Sequence, residues 1–245
     1  MIFAAGLGTR LRPLTNNRPK ALVEIGDTPI LEIVARRLVD AGADRLIINT
    51  HPFPDIIEEH VRACDNFGVE VRFSYEPDAP LDTGGGLRQA APLFRGDAPF
   101  FMHNCDVISD VDLRALYDAH LADDDAIATL AVLPLSAERY LIFDDDGLCG
   151  YSPRGGGDNV LIRETRGDVT RNDFTGIHIG TPALIDSLPD QQIFSIMAHY
   201  LSLARRGRRV ARHAQPHARW IDIGTPEKLE AAIAIAEVQR RREQN

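Results

Sequence analysis

The sequence predicts an α/β protein with a mostly parallel, Rossmann-like sheet flanked by helices and a smaller β-rich part in its second half. In residues 1–135, short apolar runs alternate with amphipathic stretches, as in repeated strand–helix–strand units. After about residue 135, the pattern changes to short strand-like runs joined by turns. The 245 residues contain no internal repeat and no long linker, so we expect a single domain over 1–245.

The predicted elements follow this change of pattern. The expected strands of the first half are the apolar runs 1–5, 45–50, 69–75, 98–104 and 126–133. The expected helices are the amphipathic stretches 29–42, 53–64, 85–94 and 111–121. In the second half we expect a hairpin over 140–153 with an acidic turn, a flexible loop over 154–159, strands over 173–180 and 208–215, and a C-terminal helix capped by Thr225.

Composition and charge exclude several classes of protein. The net charge of −9 argues against a nucleic acid or an anionic membrane as a partner. No stretch reaches the ~20 apolar residues of a membrane helix, and the N-terminus does not resemble a signal peptide. Three cysteines are too few for a disulfide framework, so we expect reduced thiols in a cytoplasmic protein. Either a monomer or a homodimer is compatible with this composition.

A glycine-rich loop with basic residues follows the first strand, in the segment AAGLGTRLRPLTNNRPKALVEI over residues 4–25. Glycines after a strand let the backbone approach a ligand, and nearby arginine and lysine side chains can neutralise phosphates. A Rossmann fingerprint requires glycine or alanine where Leu11 stands, and a Walker loop requires lysine where Thr9 follows Gly8. A tight turn with surface arginines is the alternative, but three arginines and a lysine between positions 10 and 20 favour phosphate binding.

Two aspartates far apart in the sequence are candidate metal ligands. Asp106 closely follows the apolar strand 98–104, and Asp222 lies in the segment WIDIGT over 220–225. A carboxylate at the end of a buried strand is poorly solvated, and Mg²⁺ takes one or two carboxylates together with phosphate oxygens. The alternatives are a helix cap at Asp106 and a strand-to-helix turn at Asp222.

Two further groups of residues have weaker signals. The run LDTGGG over 81–86 precedes an expected helix, whose amides could face a base, a sugar hydroxyl or an anion; a flexible turn is the alternative. His60 and Cys64 are four residues apart on a helix and could form half of a zinc site. No second pair accompanies them at suitable spacing, so an ordinary helix face is the preferred interpretation.

These segments resemble the sugar nucleotidyltransferase family. Residues 4–22 match its signature AAGxGTRLxPLT followed by PKxL nearly position for position. WIDIGT resembles the WxDxGT signature, and Asn104-Cys105-Asp106 resembles a Gly-Asp metal pair with cysteine in place of glycine. The run 81–86 resembles a TGGG or TAGA segment beside the base, and residues 173–176 resemble a strand with sugar contacts.

The resemblance implies a GT-A-like fold and an enzyme that joins a nucleoside triphosphate to a sugar 1-phosphate and releases pyrophosphate, with Mg²⁺ as its cofactor. Residues 1–135 would be the nucleotide-binding core, and 136–245 the sugar-binding part with a C-terminal helix. It implies that Arg10 contacts the β- and γ-phosphates and that Lys20 contacts the α-phosphate or the sugar phosphate. The implied sites are Ala5, Gly6, Gly8, Thr9, Arg10, Asp82, Gly84 and Gly85 for the nucleotide, Asn104, Asp173, Thr175 and Gly176 for the sugar, and Asp106 and Asp222 for the metal.

The short chain and LDTGGG resemble the small guanylyl- and uridylyltransferases, which predicts guanylyl transfer to a manno- or heptose-type sugar. Uridylyl transfer to an N-acetylmuramate or hexose 1-phosphate is the alternative. Many relatives have a Glu-Lys pair in the sugar site, but here Thr165 follows Glu164, so the lysine of that pair has no counterpart. Two hypotheses come from other classes. One is a nucleotide-sugar-dependent glycosyltransferase, with residues 144–146 as its Asp-x-Asp motif, and the other is a non-catalytic nucleotide-sugar binder.

Overall fold

The computed structural model of the protein describes residues 1–153, 155 and 157–243, with side chains up to residue 235. Parts of the expected loop 154–159 and the end of the expected C-terminal helix therefore lie outside the described residues. The strands are β1 (Ile2–Phe3), β2 (Glu24–Ile25), β3 (Thr28–Pro29), β4 (Arg45–Thr50), β5 (Glu70–Tyr75), β6 (Phe100–Asn104), β7 (Val107–Ser109), β8 (Ala126–Pro134), β9 (Leu141–Asp144), β10 (Gly147–Tyr151), β11 (Val160–Leu161), β12 (Thr170–Gly180), β13 (Arg209–Ala214) and β14 (Trp220–Asp222).

The helices are α1 (Ile30–Asp40), α2 (Pro54–Ala63), α3 (Asp82–Ala90), α4 (Leu113–Leu121), α5 (Pro182–Asp186), α6 (Ile196–Arg205) and α7 (Pro226–Glu243). Short 3₁₀ helices cover Thr9–Leu11, Lys20–Leu22, Asp65–Gly68 and Ala91–Leu93. Among the described residues, none of these helices has the length and apolar character needed to cross a membrane.

The first half of the chain forms the parallel part of the sheet, as its alternating pattern predicts. β6, β1, β4 and β5 lie side by side in that order, and each neighbouring pair is parallel. Along the chain, α1 connects β1 to β4, α2 connects β4 to β5, and α3 connects β5 to β6. Parallel strands need such crossovers because a tight turn cannot join them. The predicted α/β class is confirmed, and the carboxyl ends of four strands meet at one edge of the sheet.

The second half extends the same sheet with mostly antiparallel strands. β12 is antiparallel to β6 on one side and to β8 on the other, and β13 then pairs with β8 in parallel. The expected hairpin is present as β9 and β10, with Asp144 opposite Gly147, and β9 pairs with the start of β12. Within the described residues this main sheet has ten strands, so the second half is built onto the edge of the first.

Two apolar layers cover the sheet, and β4 shows how the sequence produces them. Leu46 and Ile48 lie in the layer that includes residues of α1 and α2, and Ile47 lies in the layer with residues of α3 and α6. Successive side chains of a strand point to opposite faces, so a strand covered on both sides is apolar along its length. Complete burial of Ile48 stabilises the folded chain by roughly 1.5–3 kcal/mol.

Helix α6 was not predicted from the sequence. Its Tyr200 is fully buried against the sheet, and Nδ1 of His178 on β12 lies 2.7 Å from the tyrosine hydroxyl. The helix begins after Ser195, whose hydroxyl accepts a hydrogen bond of 3.3 Å from the amide of Met197. A serine before an amphipathic run is a helix-start signal, so the sequence does contain a local sign of α6 at Ser195.

The buried His178 should make stability depend on pH. Burial lowers its pKa to about 3, whereas the same residue titrates near about 6.5 in an unfolded chain. Between these values the unfolded state binds more protons, so the free energy of unfolding falls as the pH falls. The contribution of the neutral imidazole is complete above a pH of about 6.5 and is lost below it, by up to about 1.4 kcal/mol per pH unit.

Urea denaturation over a series of pH values from neutral to mildly acidic measures this effect. The His178→Gln variant serves as the comparison, since both chains share all other titrating groups. The free energy of unfolding of the variant should fall less steeply with decreasing pH. The difference in slope should approach that of one titrating proton, about 1.4 kcal/mol per pH unit. Identical slopes for the two chains would show that His178 is not held neutral by the fold.

Candidate active site

The glycine-rich loop leaves the sheet at the carboxyl end of β1 and turns at Gly8. Gly8 has a φ of +63°, and a Cβ there would lie 2.9 Å from Cγ2 of Thr15. The Thr15 hydroxyl donates a hydrogen bond of 2.8 Å to the carbonyl of Gly8 and so fixes the turn. The 3₁₀ helix that follows exposes Thr9 and Arg10, which places the arginine beside the loop.

A cleft of about 240 Å³ opens beside this loop, at the carboxyl ends of the parallel strands. Ligands of open α/β sheets bind at this edge. Of the predicted site residues, Ala5, Gly6, Lys20, Asp82, Asn104 and Asp106 line the cleft. The structure therefore brings one end of the basic loop, the start of α3 and the end of β6 together around one space.

The two distant aspartates are brought together by a short ribbon that the sequence did not predict. β7 and β14 are antiparallel, and Asp222 lies opposite Val107, the residue after Asp106. The amide of Ile223 donates a hydrogen bond of 2.8 Å to the carbonyl of Asp106. Asp106, just before β7, and Asp222, at the end of β14, are 116 positions apart in the chain and thus lie side by side.

Each aspartate carries a lysine ammonium group on one oxygen. Nζ of Lys20 lies 2.5 Å from Oδ2 of Asp106, and the lysine side chain is only 13% exposed. Nζ of Lys228, in the first turn of α7, donates to Oδ2 of Asp222. Charge-assisted hydrogen bonds of this kind are stronger than neutral ones, and they show that both carboxylates attract cations.

Arg10 and the Asp222 carboxylate both lie close to Gly224. A Cβ at Gly224 would lie 2.9 Å from Nη2 of Arg10 and 2.7 Å from Oδ1 of Asp222. A side chain at position 224 would therefore displace either the guanidinium or the carboxylate. Glycine at this position leaves room for Arg10 beside Asp222, although neither residue lines the cleft itself.

Comparison with known proteins identifies the family. The family model described as "Nucleotidyl transferase" matches residues 1–141. An N-acetylmuramate alpha-1-phosphate uridylyltransferase from Caulobacter vibrioides is 35% identical over 242 residues, which cover 97% of this chain and 96% of that protein. The chain belongs to the nucleotidyl transferase family.

Two further comparisons agree with this membership. The mannose-1-phosphate guanylyltransferase catalytic subunit beta of Drosophila pseudoobscura pseudoobscura is 28% identical over 96% of this chain, which spans 61% of that longer protein. The crystal structure of HddC from Yersinia pseudotuberculosis complexed with GMP-PN matches with a TM-score of 0.72 at 23% identity, covering 95% of this chain and 96% of that one. The structural match to HddC shows that the two proteins share a fold.

The nucleotidyl transferase family generally uses a divalent metal, and the donor set at the ribbon fits such an ion. Carboxylate oxygens are hard ligands of the kind that Mg²⁺ prefers, and Mg²⁺ is held by one or two of them together with phosphate oxygens. The side chain of Asp106 is 31% exposed and lines the cleft, and that of Asp222 is 23% exposed on the neighbouring strand. These two residues are the candidates for holding the metal.

The glycine run of this nucleotidyl transferase packs against a neighbouring segment. The amides of Gly84 and Gly85 both donate to the carbonyl of Phe194, at 2.9 and 3.1 Å. A Cβ at Gly84 would lie 2.3 Å from Cε2 of Phe194, and one at Gly85 would lie 2.2 Å from the Gln192 carbonyl oxygen. The amides of Gly84 and Gly85 are thus bonded within the protein and their contact with the nucleotide stays a prediction, whereas Asp82 lines the cleft.

The predicted sugar residues divide into two pairs. Asn104 lines the cleft, and a Cβ at Gly176 would lie 2.6 Å from its Nδ2, so the glycine makes room for the asparagine side chain. In the other pair, Thr175 is buried, and its hydroxyl donates to the carbonyl of Ala131 at 2.8 Å. Oδ2 of Asp173 accepts hydrogen bonds from the amide and the hydroxyl of Ser136, at 2.9 and 2.6 Å. The side chains of Thr175 and Asp173 therefore hold β12 and the loop after β8 in place.

The acidic run 144–146 does not lie in the cleft. Asp144 ends β9, and its two oxygens accept hydrogen bonds of 2.5 and 2.7 Å from Arg163. Asp146 pairs with Arg166 at 3.0 Å. Both terminal carboxylates of the possible Asp-x-Asp motif are thus engaged by arginines in a hairpin turn, which argues against a glycosyltransferase metal site at this position.

A network of buried polar residues was missed by the sequence analysis. The amide of Ala4 donates to Oδ1 of Asn49, and Nδ2 of Asn49 donates to Oε1 of Glu76, at 2.7 and 2.6 Å. Oε2 of Glu76 accepts a bond of 2.7 Å from the amide of Leu81, just before α3. The network joins the glycine-rich loop to the start of α3. Asn49 lies near the end of β4 and Glu76 follows β5, so the rule that ligands bind at strand ends could have identified them.

Cys105 lies between two site residues and is not available as a nucleophile. Burial, together with the negative charge of Asp106, raises the pKa of its thiol far above the usual range. A thiol that stays protonated is a poor nucleophile. The cleft therefore offers Lys20 and several carboxylates for electrostatic catalysis, and the cysteine contributes to packing.

Proposed function

We propose that the protein transfers a nucleotidyl group from a nucleoside triphosphate to a sugar 1-phosphate and releases pyrophosphate. A phosphate oxygen of the sugar 1-phosphate forms a bond to the α-phosphorus, and the bond from that phosphorus to the bridging oxygen of pyrophosphate breaks. The observation that carries this proposal is the meeting of Asp106 and Asp222 on the ribbon, with Lys20 and Arg10 beside them. Such transfers depend mainly on positioning and electrostatic stabilisation.

Each basic residue has a separate role in this proposal. Lys20 lies at the cleft beside Asp106 and stabilises negative charge on the reacting α-phosphate. Arg10 is beside Asp222 and neutralises the leaving pyrophosphate, for which a planar guanidinium offers paired donors. A magnesium ion held by Asp106 and Asp222 would supply positive charge to the phosphate oxygens. No residue forms a covalent bond to the substrate.

We propose UTP and an N-acetylmuramate-type α-1-phosphate as the first substrate pair to test. The relative that supports this choice is an N-acetylmuramate alpha-1-phosphate uridylyltransferase, and its similarity to this chain extends over 96% of its own length. The predicted guanylyl transfer to a manno-configured sugar is the second candidate. It is supported by the mannose-1-phosphate guanylyltransferase catalytic subunit, of which this chain spans 61%.

Pyrophosphate release with each of the four nucleoside triphosphates and a panel of sugar 1-phosphates tests the proposal. We expect release to need both substrates and Mg²⁺, and kcat/KM to favour UTP over GTP by about 10-fold or more, as in sites that read a base by hydrogen bonds. A preference for GTP and mannose 1-phosphate would establish the second candidate instead.

The reverse reaction separates the transferase from the other classes of function. Incubation with a nucleotide sugar and pyrophosphate should regenerate the triphosphate. Transfer of the sugar to an acceptor without this regeneration would identify a glycosyltransferase. Tight binding of the nucleotide sugar with no turnover in either direction would identify a non-catalytic binder.

A further inference from the structure

Three metal-ligating side chains meet where α1 and α2 pack together, outside the cleft. Glu32 lies in the first turn of α1, His60 lies in the last turn of α2, and Cys64 follows α2 directly. Sγ of Cys64 is 3.5 Å from Oε2 of Glu32 and 3.6 Å from Nε2 of His60. The same Oε2 of Glu32 is 3.6 Å from Nε2 of His60. The three donor atoms thus form a nearly equilateral triangle.

This triangle has the size of one face of a zinc coordination tetrahedron. Zinc binds sulfur at about 2.3 Å and nitrogen or oxygen at about 2.0–2.2 Å. In a tetrahedron with those bond lengths, the ligand atoms are about 3.4–3.6 Å apart. The three separations therefore agree with those of zinc-bound ligands.

The surroundings of Glu32 direct one of its oxygens to the triangle. Arg36, one turn further along α1, donates from Nε to Oε1 of Glu32 at 2.8 Å, and its Nη2 lies 2.8 Å from the same oxygen. Oε2 is left to face His60 and Cys64. Carboxylates that ligate metals are commonly held by such hydrogen bonds through the other oxygen. The positive charge of Arg36 neutralises part of the negative charge that a carboxylate and a thiolate bring together.

We propose that Glu32, His60 and Cys64 form a binding site for zinc or a closely similar transition-metal ion, separate from the catalytic carboxylates. A thiolate and an imidazole favour such an ion over Mg²⁺, which prefers oxygen ligands. Three protein ligands leave the fourth position to water. None of the three residues lines the cleft, and the side chains of Glu32 and His60 are 17% and 22% exposed, so an ion can enter from the surface. The bound ion would join α1 to the end of α2.

Equilibrium dialysis of the chelator-treated protein against Zn²⁺, in an excess of Mg²⁺, tests this site. We expect one zinc per chain and a Tm that rises with zinc concentration, since a ligand that binds the folded state stabilises it. His60→Ala and Cys64→Ala should each lower zinc affinity by about 100-fold or more. The Asp106→Asn variant is the matched control, because it removes a catalytic carboxylate and should retain its zinc.

Cobalt substitution provides a spectroscopic readout that the wild-type chain alone can give. Co²⁺ bound to the wild-type chain should give a tetrahedral absorption spectrum with a sulfur-to-cobalt charge-transfer band, and Cys64→Ala should abolish that band. The proposal is overturned if the wild-type chain binds no zinc under excess Mg²⁺. It is equally overturned if the His60→Ala and Cys64→Ala chains bind zinc as tightly as the wild type, or if the cobalt spectrum lacks a sulfur band.

Discussion

Replacement of Asp106 by asparagine should lower kcat for pyrophosphate release by roughly 10²–10³, the usual effect of removing one electrostatic stabiliser from an active site. The side chain keeps its size and loses its charge. Two things are lost with the charge: a carboxylate ligand for the proposed magnesium ion, and the partner that holds Nζ of Lys20 at 2.5 Å beside the cleft. Both losses weaken stabilisation of the charge that develops on the phosphates.

The dependence of the rate on Mg²⁺ concentration separates these two effects. If Asp106 is a metal ligand, Asp106→Asn should need more Mg²⁺ for half-maximal rate. If Asp106 only positions Lys20, the Mg²⁺ requirement should stay unchanged while kcat falls.

Asp146→Asn is the matched control for Asp106→Asn, because it makes the same chemical change in the hairpin turn, where Asp146 pairs with Arg166. This variant should keep wild-type turnover within about 2-fold, since exposed ion pairs contribute little. Near-normal turnover of Asp106→Asn would overturn the proposed site, and a large loss in Asp146→Asn would show that the effect is not specific to the cleft.

The sequence predicted the parallel half of the fold well because local pattern determines it. β4 is covered on both faces, so its centre, residues 46–48, is continuously apolar, and the predicted bounds agree with the observed Arg45–Thr50. The ribbon of β7 and β14 escaped prediction because each strand has three residues, too few to show a period. The pairing of these strands is a long-range contact that no local pattern records.

The site was predicted only in part, because its geometry also depends on long-range contacts. The signatures identified Lys20, Asp106 and Asp222 through resemblance, but not the geometry that brings them together. Lys228 was not singled out, because its contact with Asp222 depends on how α7 docks after β14. Gly84 and Gly85 were interpreted as ligand-facing amides, since a glycine run at a helix start gives no sign that another segment approaches it.

The close approach at Gly85 predicts a large loss of stability in Gly85→Ala. Alanine in a helix is favoured over glycine by about 1 kcal/mol, which alone would stabilise α3. Against this, the added Cβ would lie 2.2 Å from the carbonyl oxygen of Gln192 and 2.9 Å from Cβ of Leu81. Overpacking costs about 1–3 kcal/mol, and a backbone carbonyl cannot rotate away as a flexible side chain can. A clash with backbone lies at the upper end of this range, about 3 kcal/mol, so the net loss is about 2 kcal/mol and the Tm should fall by roughly 4–8 °C.

Gly6→Ala gives the complementary result and separates packing from ligand contact. Gly6 lines the cleft, and a Cβ there would meet no atom within 4 Å, so the free energy of unfolding should stay equal or rise slightly. The new methyl group would instead occupy space proposed for the nucleotide and raise the KM for the triphosphate. Thermal unfolding and steady-state kinetics on both variants show whether each glycine serves packing or ligand contact. A Gly85→Ala chain with unchanged Tm and a raised KM would show that this amide serves the ligand and that the packing explanation is wrong.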